Sequence, residues 1–284
     1  MLTKNAKSAA LSYLASNTTP ETDAVGAAFL RAMRIGFEQG LAEGYEGGTK
    51  AAACISVDFD AFSKEKLQWN HDGTKALLEL SEKHGIPLTW AICGKTADDD
   101  PKAFDSILNS SAHQEIGLHT YSHIWADRTT KEEFEDDIRR CIEKLALASP
   151  PTSFVFPKNR EGHFDVLERL GIKAYRGARK VIGAPAKNQS LWNIRPVYYV
   201  DLKSLGSSGL IMKFLDTCIA RSAVFHLWTH PWSVVIDGKA SKMMTETLEP
   251  VFDHLEEKSR AGLLSVTTMG ALSRYLDSCR TTVN

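Results

Sequence analysis

Asp58 and Asp60 close the apolar run Ile55-Ser56-Val57-Asp58-Phe59-Asp60. Side chains two apart on a strand share a face, so both carboxylates look into one space. Two like charges that close repel each other unless a cation neutralises one of them; a pair of solvated strand-end carboxylates fits the same spacing. His119 and His123 follow a second run, Glu115-Ile116-Gly117-Leu118. If Leu118 ends a strand and Thr120 opens a turn or helix, side chains four apart come to about 5–6 Å between Cβ atoms. That separation suits two imidazoles on one metal ion. His226 and His230 have the same interval, but Ala223 to Trp228 reads as a strand that Pro231 stops. Four residues along a strand span roughly 13 Å, too far for both to reach one ion. His230, at the strand end, is therefore the functional histidine, and His226 is a core residue or a support behind the site.

One aspartate and two histidines leave coordination positions open for water and substrate. This set suits Zn²⁺ first and also accepts Co, Ni, Mn or Fe. The other aspartate is then free to act as base on a water, and His230 to protonate a leaving nitrogen. After Phe156-Pro157, the first free backbone N–H belongs to Lys158, because proline has none. Such a donor can hold an oxyanion. The chemistry within reach of these groups is amide hydrolysis.

Elements that could bring these groups together are visible in the apolar patterning. Strands are predicted over 52–57, 86–92, 115–118, 153–156, 171–175, 196–200, 223–229 and 263–267, separated in several places by amphipathic stretches. In the clearest of these, 131–147, Phe134, Ile138, Cys141, Ile142 and Leu145 mark one face. Thr129 or Thr130 with Glu132 or Glu133 supplies a helix start, and Pro150-Pro151 an end. Ala27, Leu30, Met33, Phe37 and Leu41 recur at helical spacing before the Gly44–Gly48 break. The expected organisation is an N-terminal helical extension over 1–48 and one α/β barrel-like domain over 49–284. A closed parallel barrel gathers its strand ends on one face, where residues distant in sequence share a pocket. An open doubly wound sheet is the alternative, but no Gly-x-Gly-x-x-Gly or phosphate loop supports a nucleotide-binding version.

The bulk properties narrow the function classes. With 43% hydrophobic and 24% charged residues, the composition is that of a globular domain. A formal net charge of -1 gives no electrostatic footprint for nucleic acid. No apolar stretch approaches the roughly 20 residues of a membrane helix. Ser8, Ser12 and Ser16 interrupt the Ala-rich residues 8–16, which argues against an export signal and for a cytoplasmic protein. Five widely spaced cysteines without a Cys-x-x-Cys read as reduced, buried thiols.

The ordered set resembles the polysaccharide deacetylase family, the NodB homology domain of carbohydrate esterase family 4, over roughly residues 50–270. The family's Thr-Phe-Asp-Asp motif corresponds to Ser56-Val57-Asp58-Phe59-Asp60, in the Asp-x-Asp form similar to its peptidoglycan-deacetylase-like and allantoinase-like branch. His-Ser/Thr-x-x-His is matched in full by His119-Thr120-Tyr121-Ser122-His123, and Leu-x-x-His by Leu227-Trp228-Thr229-His230. The resemblance implies that Asp58 is the catalytic base, that Asp60, His119 and His123 are metal ligands, and that His230 is the general acid. The third motif, Arg-x-Pro-Tyr, departs: Phe154-Val155-Phe156-Pro157-Lys158 has no arginine to orient Asp58. Arg160 and Arg176, on neighbouring loops, are the candidates to replace it.

By the same resemblance, the fold is a distorted (β/α) TIM-like barrel of seven to eight strands. The activity is metal-dependent removal of an N-acyl group, chiefly N-acetyl, from a sugar or glycan precursor. Hydrolysis of a small cyclic amide, ureide or formamide is the alternative, and a catalytically inactive carbohydrate-binding barrel the other. Trp125, Trp192, Trp228 and Trp232 suit stacking on a sugar ring or packing in the core.

Overall fold

The run Ala51–Phe59 is small or apolar everywhere except Ser56 and Asp58, and it is buried along its whole length. Burial on both faces is what a central strand of a parallel sheet requires. The computed structural model describes residues 34–111, 113–201 and 208–281. In it this run is strand β1 (Ala51–Phe59), followed by β2 (Thr89–Ile92), β3 (Glu115–Leu118), β4 (Ser153–Val155) and β5 (Ala174–Arg176). Then come β6 (Ala186–Asn188), β7 (Leu191–Asn193), β8 (Tyr198–Tyr199), β9 (Val224–Thr229) and β10 (Leu264–Val266). The sheet runs β8-β9-β1-β2-β3-β4-β5-β7-β6, with β10 beside the first half of β1. Every pairing is parallel except that of β6 with β7.

Alternation along these strands sorts the core into two layers. Ala51, Ala53, Ile55, Val57 and Phe59 face outward, into the large cluster that also holds helix residues Leu77, Phe134, Ile138 and Phe252. Ala52 and Cys54 face inward, with Ala91, Val155, Ala174 and Ile194, over Met269, Leu272 and Leu276. Ser56 and Asp58 continue that inner row. The inward row of β9 is in register with it, His226 opposite Cys54 and Trp228 opposite Ser56. Small residues line the inner base of the sheet, and reactive ones its rim.

The helices are α1 (Lys64–His84), α2 (Gly94–Asp99), α3 (Pro101–Leu108), α4 (Lys131–Leu145), α5 (Phe164–Arg169), α6 (Ser208–Ala220), α7 (Glu249–Arg260) and α8 (Met269–Thr281). In α1, Gly73 lies against the turn after His230; a Cβ there would come to 1.9 Å from the Pro231 carbonyl oxygen. In α4 the capping box forms between Thr130 and Glu133, and Phe134, Ile138, Cys141 and Leu145 are the buried face. Its last turn closes on left-handed Ala146, ahead of the expected Pro150-Pro151 stop. Thr130→Ala should cost about 1 kcal/mol of stability, a drop of about 2–4 °C in the thermal midpoint for a domain of this size. A melting curve followed by circular dichroism measures it.

The distorted barrel is the observed fold, as a curled sheet whose ladder stays open among the described residues. β7 pairs with β5 and β8 with β9, and the connection between them is carried by single bonds such as that from His226 Nδ1 to the Ile194 carbonyl, 2.8 Å. All eight expected strands are present. The β6–β7 hairpin was not anticipated, since Ala186-Lys187-Asn188 carries no apolar alternation.

For the expected N-terminal helix, residues 1–33, with Ala27, Leu30 and Met33, lie outside the described residues. Residues 34–48 are not α-helical: Gly36–Phe37 pairs in parallel with Val181–Ile182, and Leu41 lies in a loop. Backbone bonds from Gly36 to Lys180 and from Glu38 to Ile182 outcompete a helical spacing set by only two apolar residues. No described helix is long and apolar enough to cross a membrane. No cysteine among the described residues forms a disulfide, and Cys54, Cys93, Cys141 and Cys218 are buried.

Candidate active site

Parallel strands bring Asp58, Asp60, His119, Arg176, Trp228 and His230 to one end of the sheet. There, with His123, Lys158, Asn159 and Tyr199, they line a cavity of about 230 Å³. A larger surface cleft, of about 810 Å³, lies at the opposite strand ends around Glu115, Pro150 and Thr152 and contains none of these groups.

Asp60 Oδ2 lies 2.9 Å from His123 Nε2 and 3.8 Å from His119 Nε2. One ligand atom from each of the three residues falls within 4.8 Å of the others. The loop between the histidines turns back through left-handed Thr120 (φ 61°) and His123 (φ 57°). Asp137 Oδ1, from α4, braces that turn by accepting from the backbone N–H groups of Tyr121 and Ser122 at 2.7 and 2.9 Å. Non-glycine residues in this region are strained by about 1–2 kcal/mol each, a strain the bracing offsets.

The donor chemistry of the three residues fits a divalent metal. His119 Nδ1 donates to the Val155 carbonyl at 2.7 Å, so its Nε2 carries a lone pair. That Nε2 is buried and has no hydrogen-bond partner. Burial pushes the His123 imidazole toward its neutral form, the form that ligates. Burial would also raise Asp60, but the neighbouring imidazoles of His230, His119 and His123 more than offset it, holding the carboxyl well below its ordinary range. Trp232 Nε1 donates to the other oxygen of Asp60 at 3.2 Å.

Asp58 has a different partner. Arg176 Nη1 and Nη2 donate to its two oxygens at 2.7 and 2.6 Å, a bidentate pair in which both side chains are buried. Arg176 thus stands where the third motif lacks its arginine. Arg160 does not: it is exposed and pairs with Asp127 at 3.3 Å. The turn Pro157–Asn159, with left-handed Lys158 and Asn159, carries the chain away from the sheet before Arg160 is reached.

Arg176 Nη1 also donates to Ser56 Oγ at 3.0 Å, and Ser56 Oγ meets His226 Nε2 at 2.9 Å. Since His226 Nδ1 donates to Ile194, its Nε2 accepts from the serine hydroxyl. Burial, then the Arg176 charge, pushes the His226 pKa down to about 3. It is a neutral brace beneath the Asp58–Arg176 pair, away from the cavity wall.

His230 Nε2 lies 3.5 Å from Asp60 Oδ1 and 4.0 Å from Asp58 Oδ2, and burial lowers its pKa. The ring is fixed between Trp232, 4.5 Å away, and Trp228, 5.6 Å away. Trp192 belongs to the core, and Trp125 lies between Arg128 and Arg160. Two strand residues of the site escaped the sequence reading, Ser56 and Tyr199. Both sit on predicted strands, and the inward parity of Asp58 would have indicated Ser56.

A polysaccharide deacetylase family model matches residues 47–174. Over that stretch the chain is similar to the polysaccharide deacetylases. That family is one of hydrolases, and its match covers the strands that carry Asp58, Asp60, His119 and His123. No curated protein sequence matches the chain. In fold the chain is similar to a Mycobacterium smegmatis protein assigned to the polysaccharide deacetylases (TM-score 0.67, 15% identity, 86% of this chain and 96% of that one). It is also similar to Puue allantoinase (TM-score 0.62, 14% identity, 82% and 92%). A family 4 carbohydrate esterase from Streptomyces lividans gives a TM-score of 0.50 at 13% identity, over 77% of this chain and 92% of that one. At such identities the likeness is one of fold.

Proposed function

We propose that this protein is a member of the polysaccharide deacetylase family and a metal-dependent hydrolase that removes an N-acyl group, chiefly N-acetyl, from a sugar or glycan precursor. The observation that carries this reading is the convergence of Asp60, His119 and His123 beside an arginine-bound carboxylate and a buried histidine. Asp60, His119 and His123 would hold a divalent ion, Zn²⁺ first among the candidates, and the ion would supply Lewis acidity to water and to the acyl oxygen. Asp58, kept ionised by Arg176, takes a proton from the attacking water. His230, which lines the same cavity, gives a proton to the departing nitrogen. Lys158 lines the cavity, and its backbone N–H is the donor assigned to the oxyanion. A carboxylate released in this way matches the acetate held by the Streptomyces lividans esterase structure.

The inactive-barrel alternative rested on the missing arginine, and the Asp58–Arg176 pair removes that ground. A second enzymatic reading, hydrolysis of a small cyclic amide or ureide, is favoured by the size of the cavity. Its volume is below the roughly 300–1,000 Å³ typical of ligand pockets, and the fold of Puue allantoinase is similar. Cysteines outside any disulfide suit a reducing compartment, and we assign the proposed reaction to the cytoplasm on that ground.

The purified protein should bind Zn²⁺ or Co²⁺, as measured by elemental analysis, and His119→Ala should lose it. The loaded enzyme should release acetate from N-acetylhexosamine conjugates in preference to opening allantoin-type amides. The opposite preference would establish the second reading. Metal retained by His119→Ala would overturn the ligand set.

A further inference from the structure

Arg176 ends β5 and Asp58 lies on β1, with β2, β3 and β4 between them in the sheet. The guanidinium that grips Asp58 is therefore carried across the interior on a long side chain. Its two bonds to one carboxylate fix the line joining the groups but leave its plane free to rock about that line. The further bond to Ser56 Oγ comes from Nη1, one of the same two nitrogens, and Nε is buried without a hydrogen-bond partner.

The plane is held from its face instead. The Arg176 guanidinium carbon sits 4.0 Å from the centre of the Trp228 indole, where the ring's electrons attract a cation. The Tyr199 ring stacks on the same indole, with centroids 3.8 Å apart and planes 18° from parallel. Two groups that close to one ring centre must occupy its opposite faces. Arg176, Trp228 and Tyr199 therefore form a three-layer stack. The middle layer is fixed in turn: on β9, Trp228 lies in register between Ser56 of β1 and Tyr199 of β8. The Tyr199 hydroxyl, at the far end of the stack, lies 3.0 Å from His230 Nδ1. With both faces covered, Trp228 has none left for a sugar ring.

We propose that Trp228 is a positioning residue for Asp58: backed by Tyr199, its indole sets the plane of the Arg176 fork and so the direction in which the carboxylate faces the cavity. Its effect on the reaction passes through Arg176. This inference rests on the assignment of Asp58 as the base in the reaction proposed above, but the state of the guanidinium is readable without turnover.

The test is nitrogen-15 NMR of the zinc-loaded protein, with the Arg176 side-chain signals assigned by comparison with Arg176→Lys. Wild type should show separate Nη1 and Nη2 signals, the mark of a guanidinium held against rotation. Trp228→Leu, which removes the flat face, should merge them, and Trp228→Phe, which keeps a smaller one, should hold them apart, with bound zinc unchanged in both. Tyr199→Leu removes the backing and leaves the indole; it should also merge the signals, and it keeps the test open if Trp228→Leu fails to fold. On a substrate that wild type hydrolyses, Trp228→Leu should lower kcat about 100-fold with little change in KM, and Trp228→Phe should recover most of the loss. In an Arg176→Lys background, Trp228→Leu should cost little more. Merged signals in wild type, or separate ones in either leucine variant, overturn the proposal. So does a rise in KM in place of the fall in kcat, which would make Trp228 a substrate contact, or an undiminished loss in the Arg176→Lys background. Failure to find a hydrolysed substrate would count against the reaction and leave the NMR result to decide the clamp.

Discussion

Asp58→Asn should reduce turnover by about a thousandfold or more while leaving bound metal unchanged. The substitution keeps the size of the side chain and replaces its charge. An asparagine amide cannot take a proton from water, and its NH₂ would face one of the two Arg176 nitrogens that now donate to Asp58. Metal content is expected to hold because Asp58 is not among the three converging donors, which are Asp60, His119 and His123. Steady-state rates with acetate release as readout, together with elemental analysis, measure both halves of the expectation. A variant that keeps its metal and its rate would remove Asp58 from the base role. A variant that loses metal would mean that the carboxylate serves the cation directly.

That Asp58 and Asp60 look into one space was legible because a strand end delivers residues of one parity to one face, while the division of roles between them came from the family resemblance. The same parity placed His226 behind His230, at the distance that disqualifies it from the cation. What could not be read was partner choice. Arg160 and Arg176 both follow short apolar runs, and nothing local says that a left-handed turn at Lys158 and Asn159 diverts the first of them toward Asp127. Arg176, by contrast, is the last residue of β5 and shares the inward parity of Ala174. Tyr199 was obscured for a related reason. Tyr198-Tyr199 offers two tyrosines on a two-residue strand, and only the register with Leu227 and Trp228 shows which of them meets His230. Residues 34–48 misled because an apolar residue every few positions satisfies a helix as well as a loop with one short strand. Pairing with Val181–Ile182, far along the chain, decides between them.

Arg176→Met should be among the most destabilising single substitutions in the protein. Breaking a buried ion pair by removing one partner costs about 3–5 kcal/mol, because the other charge is left uncompensated. Burial by itself would raise the Asp58 carboxyl, and it is Arg176, with help from His119 and His230, that brings it below its ordinary value. In wild type the pair thus adds stability above the pKa of the unfolded carboxyl, lost as pH falls through the folded value. Without the guanidinium the folded carboxyl is raised instead. The deficit of Arg176→Met should then be smallest in acid, where Asp58 is protonated in both states, and should grow as pH rises past about 4. Urea unfolding at several pH values gives that curve, and a deficit independent of pH would show that lost packing on Trp228, not charge, is responsible. The acid limb of kcat/KM should move to higher pH for the same reason. Arg176→Lys separates charge from geometry, since an ammonium keeps the cation but neither the paired donors on Asp58 nor the flat face on Trp228. If the fork and the stack matter as argued, lysine should recover much of the stability and little of the rate. In the double variant Asp58→Asn/Arg176→Met no charge is left stranded, so it should be more stable than Arg176→Met alone.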